Sequence, residues 1–182
     1  MIENEIQREN VILVDEHDNI IGTMPKMEAH LKGRLHRAFS VFVFNSDGQL
    51  LLQQRAEDKY HSGGKWTNTC CSHQRLGEQS IDAANRRLKE EMGMECVLNY
   101  GFNFTYHAEL ANGISENEFD HVFFGISDAI PQPDQTEVAA FRYMDMETLA
   151  QDISKHPEIY TEWLKICFNQ IMDYYNRFIL VE

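Results

Sequence analysis

The chain has no apolar run near the roughly 20 residues that a membrane-spanning helix needs. Its 182 residues contain no internal repeat and no low-complexity linker. One domain over residues 1–182 is therefore expected, long enough to bury a real core. Cysteine is scarce: there are four, two of them adjacent, which do not make a secreted disulfide framework. The opening MIENEIQREN is charged and lacks the apolar core of a signal peptide. A reducing cytoplasm is the natural reading. Basic residues are also few, 16 Lys and Arg against 29 Asp and Glu, for a net charge of -13. That balance argues against nucleic-acid and anionic-membrane surfaces as partners, because both need basic patches. What remains is ordinary for a soluble globular protein, with 43% apolar residues.

Periodicity divides the chain into short elements. Asn10 to Val14 and Ile20 to Met24 read as strands around the turn DEHDN, an N-terminal hairpin. Lys26 to Leu35 reads as a loop or short helix. Arg37 to Phe44 is the strongest strand. Phe39, Val41 and Val43 share one face and Phe42 and Phe44 the other, so both faces should be buried. NSDG turns into a returning strand, Leu50 to Gln54. Later strands are expected at Phe102 to Leu110, Glu116 to Ser127 and Val138 to Met144. A short helix over Met146 to Ile153 and a long one over Thr161 to Phe178 follow, the latter with Trp163, Cys167, Ile171, Tyr174 and Phe178 at helical spacing. This order predicts an α+β chain, an α/β/α layered domain with a mixed central sheet and a long C-terminal helix.

The stretch from Trp66 to Met94, WTNTCCSHQRLGEQSIDAANRRLKEEMGM, reads as a strand over Trp66 to His73, a loop and a helix. Ser80 is the expected N-cap and Gly93 the expected C-terminal stop. Ile81, Ala84, Leu88 and Met92 form an apolar stripe, with Arg86–Glu90 and Arg87–Glu91 as i,i+4 pairs. Alone, this suits an amphipathic surface helix. Glu78, Glu90 and Glu91 could equally aim carboxylates at a hard divalent cation.

The stretch resembles the Nudix box, G-x5-E-x7-R-E-U-x-E-E-x-G-U, where U is a bulky aliphatic residue. Ser72 stands at the first Gly, followed by Glu78, Arg86, Arg87, Leu88, Glu90, Glu91, Gly93 and Met94. Arg87 occupies a position where Nudix hydrolases usually carry a metal-binding Glu. WTNTCCSH upstream and SENEFDHVFF downstream extend the likeness. From about Val11 to Trp163 the chain resembles the type I isopentenyl-diphosphate isomerases, Nudix-fold enzymes of isoprenoid synthesis.

The resemblance implies a site. His30, His36, His73, Glu116 and Glu118 would bind one divalent metal, for which Zn, Mn and Mg all remain open. HLKGRLH places the first two histidines one residue closer than is usual in that family. Lys26, Arg55, Lys59 and Arg87 would grip a diphosphate, with a second Mg bridging it to Glu91. A local cluster must do this, since the overall charge repels an anion. Trp163 would face the isoprenyl chain, where its π face suits a cation. Taken singly, each residue has a plainer reading: solvated cations, core histidines, a core Trp.

The implied reaction moves a double bond by one carbon, from isopentenyl diphosphate to dimethylallyl diphosphate. An alkene is a poor base, so one group must protonate it to a tertiary carbocation and another must remove a neighbouring proton. Cys71 and Glu118 are the pair, with Tyr106 assisting, and water must be kept out. Two other readings stand beside this one: a Nudix hydrolase of a nucleoside diphosphate derivative, and a non-catalytic metal-binding or scaffold domain. A small-molecule diphosphate partner and a monomer or weak dimer complete the expectation.

Overall fold

The computed structural model describes residues 10–180. Residues 1–9, which supply nearly all of the charged N-terminal stretch, lie outside them, as do residues 181–182. The hairpin β1 (Asn10–Val14) and β2 (Ile20–Pro25) leads into a short helix, α1 (Lys26–Leu31). Then come β3 (His36–Phe44) and β4 (Leu50–Arg55). β3 runs parallel to β8 (Ser115–Ile126), which pairs antiparallel with β7 (Leu98–Glu109). β4 pairs with β9 (Val138–Met144), so the sheet is mixed, as expected.

β3 is buried on both faces. Phe42 and Phe44 pack with Leu50, Leu52 and Phe124 under α3 (Met146–Lys155) and α4 (Glu162–Tyr174). Phe39, Val41 and Val43 pack with Ala84, Leu88 and Met92 of α2 (Ser80–Met92). Each fully buried Leu or Met contributes about 1.5–3 kcal/mol, so this stripe fixes α2 to the sheet. Gly93 ends the helix in a left-handed conformation, φ 63°.

Four details correct the sequence reading. The strand expected over Trp66 to His73 is two strands, β5 (Trp66–Thr67) and β6 (Cys70–Ser72). β3 and β4 meet only at Phe44↔Leu50 and then splay apart. β5 continues the ladder of β4, and β6 that of β3. The chain crosses between them at Asn68 and Thr69, where side chains replace ladder hydrogen bonds. Second, Ser80 is not the N-cap. Gln79 holds that position, and the Ser80 hydroxyl donates instead to Gln74 Oε1. Third, β7 begins at Leu98, four residues earlier than expected. Fourth, the apolar stripe of α4 holds at Trp163, Cys167 and Ile171. A π turn over Tyr175–Ile179 then changes the period, burying Tyr175 and leaving Phe178 56% exposed.

The Asn68 amide uses its full capacity. It donates to the carbonyls of Val41 (3.2 Å) and Cys70 (2.8 Å), and it accepts from the Thr67 hydroxyl (2.8 Å) and Trp163 Nε1 (3.2 Å). It thus ties the splayed strands to α4. Asn68→Ala leaves several of these buried groups unpaired and should cost at least about 2 kcal/mol in urea unfolding. A loss below about 0.5 kcal/mol would contradict this role.

Candidate active site

Strand register assembles the site. His36 opens β3 directly beside Glu118 of β8. Tyr106 of β7 flanks Glu118 on its other side, and its hydroxyl donates to Glu118 Oε2 at 2.6 Å. Glu116, Glu118 and Asp120 alternate along β8 and share one face. His73 follows β6, and its Nε2 lies 2.9 Å from Glu118 Oε1. α1 supplies His30, whose Nε2 lies 3.1 Å from Glu116 Oε2. The shortened HLKGRLH loop therefore still delivers both histidines, with ring centroids 4.9 Å apart.

The tautomers are set from behind. His30 Nδ1 faces the Lys26 carbonyl at 2.6 Å, and His36 Nδ1 faces the Arg34 carbonyl at 2.8 Å. A carbonyl only accepts, so both Nδ1 atoms carry the proton. In the neutral rings, both Nε2 lone pairs then point at carboxylates. His36 Nε2 is buried without a hydrogen bond, 3.4 Å from Glu118 Oε1. Acceptors facing acceptors need a cation, either a proton or a metal. Burial opposes a proton on His36, but Glu118 outweighs it and raises the imidazole pKa. Burial also opposes charge on Glu118. The imidazoles of His36 and His73 beside it, the latter 2.9 Å away, overcome it and hold that carboxyl well below its usual range. Glu116 moves the other way, raised first by burial and then by the Glu118 charge.

Two donor groups result. His30, His36, His73 and Glu118 form one, and His30, His61 and Glu116 the other. Four of the five expected ligands therefore cluster directly, while Glu116 joins through the shared His30.

Cys71 lines the cleft with His73, Tyr106, Glu116 and Glu118. Burial raises its thiol pKa, so the proton stays on sulfur. Cys70 points away into the core beneath α2. Of the expected anion-binding residues, Lys26 and Arg55 line this cleft, as does Trp163. The Arg55 guanidinium sits 5.3 Å from the Trp163 ring centroid.

Lys59 and Arg87 do not line it. Glu137 bridges them: it pairs with Lys59 and lies 3.3 Å from Arg87 Nη2. Arg87 instead lines an adjoining cavity, which shares Lys26, Ser72 and His73 with the cleft and adds Arg75. Nor do the carboxylates of the α2 unit converge. Glu78 takes a double contact from Arg86 at 2.7 and 2.9 Å, Glu90 pairs with Arg86 and Arg87, and Glu91 accepts from Arg87 (2.6 Å) and Gln53 (2.9 Å). Glu91 belongs to neither donor group.

Sequence reasoning missed His61, Asp120 and Arg75. His61 sits in a Gly-rich loop with no periodicity to mark it. Asp120 was accessible, two residues beyond Glu118 on the same strand face. It is buried beside Ser40, whose hydroxyl donates to Oδ2 at 2.7 Å. Burial, with the Glu118 charge, pushes its carboxyl pKa well up.

A family model described as "NUDIX domain" matches residues 34–164. The isopentenyl-diphosphate Delta-isomerase of Pectobacterium atrosepticum is 51% identical over 168 residues, covering 92% of this chain and 94% of that protein. Isopentenyl-diphosphate Delta-isomerase 2 of Aromatoleum aromaticum is 51% identical over 164 residues, covering 90% of this chain and 87% of its own. Among solved structures, a Deinococcus radiodurans protein superposes with TM-score 0.69 at 22% identity, covering 81% of this chain and 90% of that one. A MutT protein from Methanosarcina mazei gives 0.63 at 19%, covering 79% and 96%. These two likenesses concern the fold alone. The chain belongs to the Nudix superfamily and, within it, to the isopentenyl-diphosphate Delta-isomerase family.

Proposed function

We propose that the chain interconverts isopentenyl diphosphate and dimethylallyl diphosphate in isoprenoid synthesis, as a metal-dependent isomerase. One observation carries the reading. A protonated, half-buried thiol shares one cleft with a His- and Glu-rich donor group and an indole ring. Cys71 and Glu118 are the proton-transfer pair, and the Tyr106 hydroxyl, bonded to Glu118, holds or relays the proton there. The thiol donates to the terminal alkene carbon, leaving a tertiary cation. The other partner removes a proton from the neighbouring carbon. Trp163 shields the cation and supplies a π face to it.

A divalent metal fits the donors, because two buried Nε2 lone pairs face carboxylates. His30, His36, His73, Glu116 and Glu118 would hold it, and Zn, Mn and Mg each suit such a mixed N/O set. When bound, it neutralises the carboxylates and orients Glu118. A second ion, Mg, would accompany the diphosphate, and Glu91 would have to leave Arg87 to reach it. Lys26, Arg55, Lys59 and Arg87 would bind the diphosphate, with Glu137 giving way to it.

The hydrolase reading is weaker, because Arg87 stands where a metal-binding Glu is usual and the neighbouring carboxylates are spent on arginines. The reading includes a single domain over 1–182, working in the cytoplasm as a monomer or weak dimer. Four free thiols suit a reducing compartment. Among the described residues no helix is long and apolar enough to cross a membrane.

Incubation of the metal-replete protein with isopentenyl diphosphate tests the reading. Allylic product without phosphate release supports it, and phosphate release without allylic product refutes it. Arg87→Glu should raise the apparent KM about 10- to 100-fold, as expected for losing a charged hydrogen-bond donor, without creating a hydrolase. An unchanged KM removes Arg87 from the binding set.

A further inference from the structure

His61 is the one imidazole in the site that the reaction above leaves unused. Its side chain is only 6% exposed, and its Nε2 lies 3.1 Å from Glu116 Oε1. The other oxygen, Oε2, faces His30 Nε2 at 3.1 Å. Glu116 is thus held between two imidazoles, one on each oxygen.

The two imidazoles are not equivalent. His30 and His36 spend Nδ1–H on backbone carbonyls, leaving Nε2 as a lone pair that can ligate. Among the described residues, no carbonyl accepts from the His61 ring. Its Nδ1 faces the Ser62 hydroxyl, 3.4 Å away, which can donate. This permits the opposite tautomer, with Nδ1 accepting and Nε2–H donating to Glu116. A neutral ring has only one N–H to give.

The loop is built to hold it. Ser62 sits at φ 51°, a left-handed conformation uncommon for a residue with a side chain. At Gly63 a Cβ would collide with the Glu57 carbonyl oxygen. Tyr60 stands edge-on to the ring with centroids 4.4 Å apart, and Trp163 closes another side at 6.0 Å.

We propose that His61 is a positioning residue: its Nε2–H holds Glu116 Oε1 so that Oε2 is presented to the metal beside His30. Carboxylate ligands are commonly oriented by such hydrogen bonds, and losing one typically weakens metal binding by about 10- to 100-fold. The inference rests on the metal site described above, and its test separates the two.

The probe is Mn2+, titrated into metal-free protein by calorimetry, with thermal melting to confirm folding. His61→Leu keeps bulk but cannot donate, and should weaken Mn2+ binding by about 10-fold or more. His61→Gln places an amide N–H about where Nε2 lies, and should stay within about threefold of wild type. If His61→Leu does not fold, His61→Asn replaces it, since its shorter amide falls short of Glu116 and must show the same weakening. Equal affinity for wild type and the non-donating variant overturns the proposal. So does a His61→Gln variant as weak as His61→Leu. In Co2+-loaded protein, a visible spectrum that loses a nitrogen ligand in His61→Gln would make His61 a ligand, and would overturn it too. Wild-type protein that binds no Mn2+ refutes the metal site itself. Normal wild-type binding with an unaffected His61→Leu refutes only the role of His61.

Discussion

Replacing Cys71 by alanine is expected to slow isomerisation by at least about a thousandfold, the upper range for a positioned general acid. The melting temperature should change little, because the thiol makes no hydrogen bond that the fold uses. Cys71→Ser should rescue little, since an alcohol is a far weaker acid than a thiol. Cys70→Ala is the control. Cys70 is packed beneath α2 as a small apolar group, and its variant should retain turnover within a few-fold of wild type. An epoxide of the isopentenyl chain should label Cys71 in peptide mapping. Label on Cys70, or a dead Cys70→Ala beside an active Cys71→Ala, would transfer the acid role to the wrong face of β6 and defeat the assignment.

The second large effect is expected at Glu118. Its Oε2 takes the Tyr106 hydroxyl, and its Oε1 lies 2.9 Å from His73 and 3.4 Å from His36. Glu116 instead lies between the imidazoles of His30 and His61, at 3.1 Å each. The tyrosine contact is what separates the two carboxylates chemically. Glu118→Gln keeps the shape and one oxygen but loses the basic carboxylate. It should lose about 10²- to 10⁴-fold in rate while keeping much of its metal by elemental analysis. Glu116→Gln should lose metal first, with activity following metal content. Equal activity losses at equal metal content would remove the distinction. His73→Ala, which withdraws a proposed ligand from the main donor group, should lose metal and turnover together; unchanged metal and full turnover would refute its place there.

Much of this site was legible because strand alternation is rigid. Residues two apart on one strand share a face, which separates Glu116 and Glu118 from Asn117, and Cys71 from Cys70. The same rule places Phe39, Val41 and Val43 against α2 and Phe42 and Phe44 against α4. The misread features depend on partners far along the chain. Nothing local shows that β3 and β4 splay, so the break at Asn68 and Thr69 could not be seen, although Asn68 holds the gap closed. Helical spacing gave α2 its Arg86–Glu90 and Arg87–Glu91 pairs, and both form; only geometry adds the double contact of Arg86 to Glu78, eight residues away. Glu137 looks like a loop residue until it is found between Lys59 and Arg87. His61 is positioned by glycines and by the left-handed Ser62, and a single sequence gives such a loop no period to read.

The most direct test of the central claim is turnover of isopentenyl diphosphate in D2O, followed by nuclear magnetic resonance and phosphate analysis. A thiol exchanges its proton with solvent, so the acid that protonates the alkene should deliver deuterium. The account predicts dimethylallyl diphosphate with deuterium in the methyl group that gained the proton, the diphosphate intact, and no such product from Cys71→Ala. Allylic product free of solvent deuterium, or release of phosphate in place of isomerisation, would contradict it.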